Sequence, residues 1–232
     1  MEFLCPITKK ELFSTEDGAF LVTNDGSHQY PIRNDFIDFI PTSLPESLSA
    51  KKGVWDALQK NGEVSYCMAP ELNLFSVGGS MAQSFKEFMR LDAGKLLEIG
   101  CGPLSCIPKY IGGSEIRYVG VDPIVGVVPK EFDYYRCIGE LLPFKDASFD
   151  YVVLSSCLDH MIDYRAVIKE VSRVVNKNGA VYLSIDDAEH GKATFIGNVM
   201  KSLNQVYQSL REYGVYKTFK YLYSLFKLKK PK

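Results

Sequence analysis

The 232-residue sequence predicts an α/β fold: a doubly wound, mostly parallel sheet with helices on both faces, plus a small N-terminal β-rich unit. Three observations carry this. Short apolar or β-branched runs recur at 95–99, 116–121, 133–137, 149–154 and 180–185, each bounded by Gly, Pro or Asp. Helical segments separate some of them; in Tyr164–Val175 the residues Val167, Ile168, Val171, Val174 and Val175 share one stripe. Finally, the run Leu96–Ile99 enters two glycines one residue apart, Gly100 and Gly102. Strands alternating with helices at this spacing favour parallel pairing through crossovers.

Four regions follow in order. Residues 1–41 are the β-rich unit: Ala19–Thr23 reads as a strand, Asn24-Asp25-Gly26-Ser27 as a turn, and His28–Ile32 as a second strand. Phe36–Ile40 alternates briefly before the Pro- and Ser-bearing linker at Pro41. Residues 42–92 form this linker and two helices, 50–60 and 80–91, expected to cap the ligand site. In the second, Ser80 suits an N-cap, and Phe85, Phe88 and Met89 have the spacing of a buried face; Gly78-Gly79 is a joint. Residues 93–190 are the α/β core, in which Asn178-Gly179 should end the last helix. Residues 191–232 read as a basic helical segment.

Composition excludes several classes. Apolar residues are 46% and charged residues 24%, as in a folded globular protein. No apolar run reaches a membrane-spanning length, and the first residues lack a secretory pattern, so a cytoplasmic location is expected. The six cysteines form no C-x-x-C pair, which suits free thiols. The net charge of −1 hides an asymmetry: residues 211–232 carry +6, leaving −7 on the rest. An acidic body makes nucleic acid an unfavourable partner.

The chemistry is expected at the tips of the first two core strands. Glycines at 100 and 102 allow a tight turn and close approach of a ligand to the main chain. A plain strand–turn junction is the alternative. Asp122, twenty residues past Gly102, ends the second strand where an acid receives ribose hydroxyls. A dinucleotide-binding turn usually carries a third glycine, yet Pro103, Leu104 and Ser105 follow Gly102, and Glu98 would repel a pyrophosphate. A sulfonium with an amino-acid tail suits that charge, and S-adenosylmethionine is such a ligand.

These segments resemble a known family. Leu97-Glu98-Ile99-Gly100-Cys101-Gly102-Pro103, Gly139–Asp150 and Val167–Gly179 are similar to motifs of class I S-adenosylmethionine-dependent methyltransferases, which have a Rossmann-like fold. The resemblance implies that Glu98, Gly100, Cys101 and Gly102 line the methionine and ribose end of the cofactor. Asp122 would take the ribose hydroxyls, with Pro123 near adenine. Gly139, Glu140 and Leu141 would flank adenine, and Ser155 would face the methyl group. S-adenosylhomocysteine would be the product, and no metal is implied. The sequence departs from the family at Ile138, where an acid commonly meets the adenine amino group, and at Leu104; the family's final antiparallel strands are not evident after residue 190.

Asp159-His160 follows the fourth core strand and is the candidate catalytic pair, with histidine suited to accept a proton at neutral pH. A packed or capping histidine is the alternative. Asp186, Asp187 and His190 lie beyond the fifth strand, at the same rim. The N-terminal unit resembles a Trm112-like zinc ribbon through Leu4-Cys5-Pro6-Ile7-Thr8 and Tyr30–Asp35. Of its ligands only Cys5 remains, so the fold is expected without zinc. In the tail, Val215, Phe219, Leu222 and Phe226 form a stripe, with Lys217, Lys220 and Lys227 off it. That pattern suits an anionic membrane surface or packing on the protein body. The sequence thus points to methyl transfer onto a small-molecule, glycan or lipid-linked acceptor. A non-catalytic partner-binding subunit and an RNA methyltransferase are the other readings.

Overall fold

The computed structural model describes residues 2–53, 55–57, 59–60, 80–113, 115–126 and 129–185. The Gly78-Gly79 joint, Asp186, Asp187, His190 and the basic tail lie outside the described residues.

Two sheets form. The first is antiparallel, with β1 (Leu12–Ser14), β2 (Phe20–Thr23) and β3 (Gln29–Pro31) in that order. Its second turn is closed by Asp25, whose Oδ1 accepts from the Thr23 hydroxyl at 2.7 Å and the Ser27 hydroxyl at 2.6 Å. The second sheet holds β4 (Ile37–Asp38), β5 (Ala93–Ile99), β6 (Glu115–Val121), β7 (Asp133–Arg136), β8 (Phe149–Ser155) and β9 (Val175–Ser184). Its order is β4-β7-β6-β5-β8-β9, and every pairing is parallel.

Side-chain alternation along β5 divides the core. Leu97 and Ile99 face one side with Val119, Val121, Val152 and Leu154. There they meet α3 (Tyr164–Val174) through Val167, Val171 and Val174. Leu96 faces the other side with Tyr118 and Val153. There α2 (Ser80–Met89) supplies Ala82, Phe85 and Met89. Burying each of these aliphatic side chains contributes about 2 kcal/mol. The expected face of α2 therefore holds at Phe85 and Met89, but Phe88 is 68% exposed. Ile168 is likewise exposed, while Glu170 is buried on the same helix beside Val167, Val171 and Val174.

One element boundary also differs from expectation. Val175 begins β9 directly, so Asn178-Gly179 lies inside a strand rather than ending the helix. An irregular register between Phe149 and Tyr151 accommodates this. Between β5 and β6 the described residues 100–113 form turns and no helix. Pro103, Pro108 and the pair Gly112-Gly113 interrupt helix propagation there.

The β-rich unit is not independent of the core. Cys5, Leu21, Tyr30 and Phe39 belong to the same buried cluster as Leu97 and Ile99. Strand β4 extends the main sheet beside β7, so the expected boundary at residue 41 separates no core. A buried ion network adds to the joint. Glu170 Oε2 accepts from Lys9 Nζ at 2.6 Å, the Leu142 amide at 2.9 Å and Arg173 Nη2 at 2.8 Å. After β4, a short α1 (Glu46–Ser49) seats Leu48 against Ile138, Leu141 and Ile162.

Candidate functional site

Numbered from β5, the five core strands run 3-2-1-4-5, and the winding reverses between β5 and β8. Ligands of open parallel sheets bind outside the carboxyl ends of the strands at such a point. Gly100, Asp122, Ser155 and Cys157 all stand at or just past those ends.

The two glycines are required for different reasons. Gly100 has φ +78, and a Cβ there would lie 2.6 Å from Cys157 Cβ. Close packing of the turn on the β8 exit therefore demands glycine. Gly102 has φ +68, and a Cβ there would meet nothing within 4 Å. Its main chain faces open space, as a backbone-cradled ligand requires. The amides of Gly100 and Cys101 both donate to the Val121 carbonyl, at 2.8 and 3.2 Å, which binds the turn to the end of β6. Cys101 itself is buried, with its thiol over Gly120.

Asp122 closes the same corner. Its Oδ2 accepts from the Gly102 amide at 2.8 Å and its Oδ1 from the Ile124 amide at 2.8 Å. Burial lifts its carboxyl to a pKa of about 6, against the opposing Ile124 and Gly102 amides. Each oxygen has acceptor capacity left for a ligand hydroxyl. Pro123 follows it, and its carbonyl is taken by Arg136 Nε at 3.0 Å.

Glu98 lies elsewhere than a strand-tip role suggests. It is 1% exposed, on the α2 side of the sheet. Tyr110 donates to Oε1, and Tyr118 donates to Oε2 at 2.5 Å. Burial raises its pKa to about 7 although both tyrosine bonds oppose the rise. Direct contact with a ligand would require exchange of these bonds. Ser155, half-buried at the end of β8, lies within hydrogen-bond reach of Tyr110.

On the other flank, a Cβ on Gly139 would come 2.9 Å from Ile99 Cγ2, so this glycine serves close packing. Glu140 Oε1 accepts from the Ile162 amide at 2.6 Å and the Asp163 amide at 3.0 Å. Its Oε2 is buried without a hydrogen-bond partner among the described residues, and burial raises its pKa. Leu141 is buried beside Leu48.

Asp159 and His160 fall in a 3₁₀ turn, Leu158–His160, just past β8. His160 Nε2 is 3.7 Å from Asp159 Oδ2, and both side chains are more than half exposed. A charge on His160 would act on Asp122, so the turn lies within electrostatic reach of that carboxylate. Among the described residues, no group of three or more His, Cys, Asp or Glu could hold a metal ion. No helix among them is long and apolar enough to cross a membrane.

Sequence reasoning missed Tyr110, Tyr118, Tyr134, Arg136 and Cys157. Tyr118 was open to inference, since it shares a face with Glu98 through parallel register with β6. Tyr134 and Arg136, two apart on β7, share a face in the same way. Cys157 carried no sequence signal.

Residues 97–183 match the family model described as a methyltransferase domain. A ubiquinone/menaquinone biosynthesis C-methyltransferase of Xanthomonas oryzae is 44% identical over 48 residues, 21% of this chain and 19% of the relative. A demethylmenaquinone methyltransferase of Bacillus cereus is 29% identical over 113 residues, 41% of this chain and 48% of the relative. The chain thus spans less than half the length of these curated relatives. Among solved structures, a SAM-dependent methyltransferase from Methanosarcina mazei has TM-score 0.30 at 22% identity, covering 40% of this chain and 52% of that one. The YcgJ protein from Bacillus subtilis has TM-score 0.36 at 22% identity, covering 44% and 48%.

Proposed function

We propose that the protein is an S-adenosylmethionine-dependent methyltransferase. The observation that carries this is Asp122 bridging the tip of β6 to the open glycine turn at the tip of β5. The match of residues 97–183 to a methyltransferase domain supports the same reading. When bound, the cofactor supplies an electrophilic methyl group on sulfur.

The chain's own part is positioning. Gly102 leaves its main chain open to the ligand, and Asp122 receives the ribose hydroxyls. The Pro123 turn and the 139–141 segment flank the adenine. The Oε2 of Glu140, without a hydrogen-bond partner among the described residues, gives that flank acceptor capacity. Glu98 lies behind the turn, where Tyr110 and Tyr118 hold it out of contact with the ligand. Ser155 ends β8 and His160 stands just past it, on the side where an acceptor would enter. Methyl transfer is an in-line displacement, so orientation supplies much of the rate. His160 receives the proton where the acceptor carries one. The acceptor is a small molecule, glycan or lipid-linked compound; the partial matches to quinone methyltransferases suit an apolar one. The N-terminal unit is a metal-free Trm112-like module, and the basic tail touches an anionic surface.

Calorimetric titration with S-adenosylhomocysteine tests the core of this reading. Saturable binding is expected. Absence of heat at millimolar ligand, in protein shown to be folded, would remove the cofactor assignment.

A further inference from the structure

The turn that carries Asp122 is held by the neighbouring core strand β7, and β7 in turn by β4. All three of its carbonyls are occupied by side chains of β7. Tyr134 donates to the Asp122 carbonyl at 2.8 Å and the Ile124 carbonyl at 3.0 Å. Arg136 Nε donates to the Pro123 carbonyl at 3.0 Å. Arg136 is in turn fixed by Asp38, whose Oδ2 accepts from Nη1 at 2.8 Å. Asp38 Oδ1 accepts the Ile40 amide at 3.1 Å, so both carboxylate oxygens are committed. Asp38 and Arg136 are also direct partners in the parallel β4–β7 register, and the Phe39 amide donates to the Arg136 carbonyl at 2.7 Å. The Asp38 side chain is 16% exposed, and the pair is shielded enough to hold one geometry.

We infer that Asp38, in the N-terminal unit, is a positioning residue for the ligand turn: it orients Arg136, which pins Pro123 and so sets the direction of Asp122. In its relation to the cofactor this rests on the function proposed above, but the positioning itself concerns only this chain. The β-rich unit is then a working part of the ligand site and not an appendage. An arginine without its carboxylate samples several rotamers, and its Nε bond to the Pro123 carbonyl is lost with that freedom.

The test compares wild type, Asp38→Ala, Asp38→Asn and the surface control Lys10→Ala, which removes an exposed ion pair of the same unit. Hydrogen exchange in ligand-free protein is read at the Ile124 and Gly102 amides and at amides of β8. Asp38→Ala is expected to speed exchange about tenfold at Ile124 and Gly102 while leaving β8 unchanged. The same variant should weaken S-adenosylhomocysteine about tenfold, with Asp38→Asn intermediate and Lys10→Ala like wild type. Unchanged exchange at Ile124 in Asp38→Ala overturns the inference. So does equal acceleration in β8, because that marks general loosening. If wild type binds no S-adenosylhomocysteine, the proposed function fails, and the exchange data still decide the role of Asp38.

Discussion

Asp122 and Gly102 are joined by a 2.8 Å hydrogen bond from the glycine amide to Oδ2, which locks the tip of β6 to the glycine turn after β5. The bond gives the carboxylate a structural duty and leaves its outer lone pairs for a ligand. Asp122→Ala should weaken S-adenosylhomocysteine at least about tenfold, by loss of a charged acceptor. Asp122→Asn should do nearly the same, since its amide nitrogen must face one of two backbone donors, Gly102 or Ile124. Calorimetry on both variants decides this; wild-type affinity in either refutes a ribose-binding role.

The two glycines should separate stability from binding. Gly100→Ala meets both an unfavourable φ and Cys157 at 2.6 Å. A loss of about 3 kcal/mol in urea unfolding is expected. Gly102→Ala meets only the unfavourable φ, costing about 1 kcal/mol. Its methyl projects into the open space before the turn, so affinity for S-adenosylhomocysteine should fall further than stability does. Equal destabilisation by the two variants would contradict the geometry.

Two buried carboxyls should weaken the fold as pH rises. Glu98 goes from 4.5 to about 7 on folding, and Asp122 from 3.8 to about 6, burial being the main cause in both. The folded state therefore holds protons that the unfolded state releases, and stability declines as pH climbs from the unfolded values through the folded ones. Urea midpoints should fall between about pH 4 and about pH 7. Glu98→Gln should flatten that decline, and an unaltered slope would show that Glu98 does not titrate in this range.

Glu170 works in the opposite sense. Burial alone would raise its pKa, but hydrogen bonds from Arg173 and Lys9 outweigh it and lower the value below 4.5. Its stabilisation is present above that pH and is lost on acidification. Glu170→Ala should cost about 3 kcal/mol at neutral pH, because Arg173 and Lys9 lose their shared buried partner. Thermal melts of the variant would show whether the N-terminal unit and the core still unfold together; two separate transitions are the outcome favouring this joint as their main link.

His160→Asn should leave S-adenosylhomocysteine affinity unchanged and reduce turnover about a hundredfold on an acceptor that must lose a proton. A rate close to wild type would make His160 a surface residue of the 3₁₀ turn and nothing more.

Much of this was legible in the sequence. The core strands near 95, 116, 133 and 149 follow from short apolar runs between breakers, and the structure has them within about two residues. The glycine turn and Asp122 were legible because their spacing reflects one strand–turn–strand unit. Local patterns determine such features, since they depend on neighbours in the chain. Other features depend on contacts between distant residues and were decided by tertiary structure alone. Glu98 read as a ligand carboxylate, yet Tyr110 and Tyr118 converge on it from two other segments. Residues 1–41 read as a separate unit, yet β4 pairs with β7 and Asp38 reaches Arg136, ninety-eight residues away in sequence. Strand periodicity places a residue on a face, but which strand lies beside it is set by packing the whole sheet. The sequence by itself determined the strands, the turn and the acid at its tip; the fold decided what holds that acid in place.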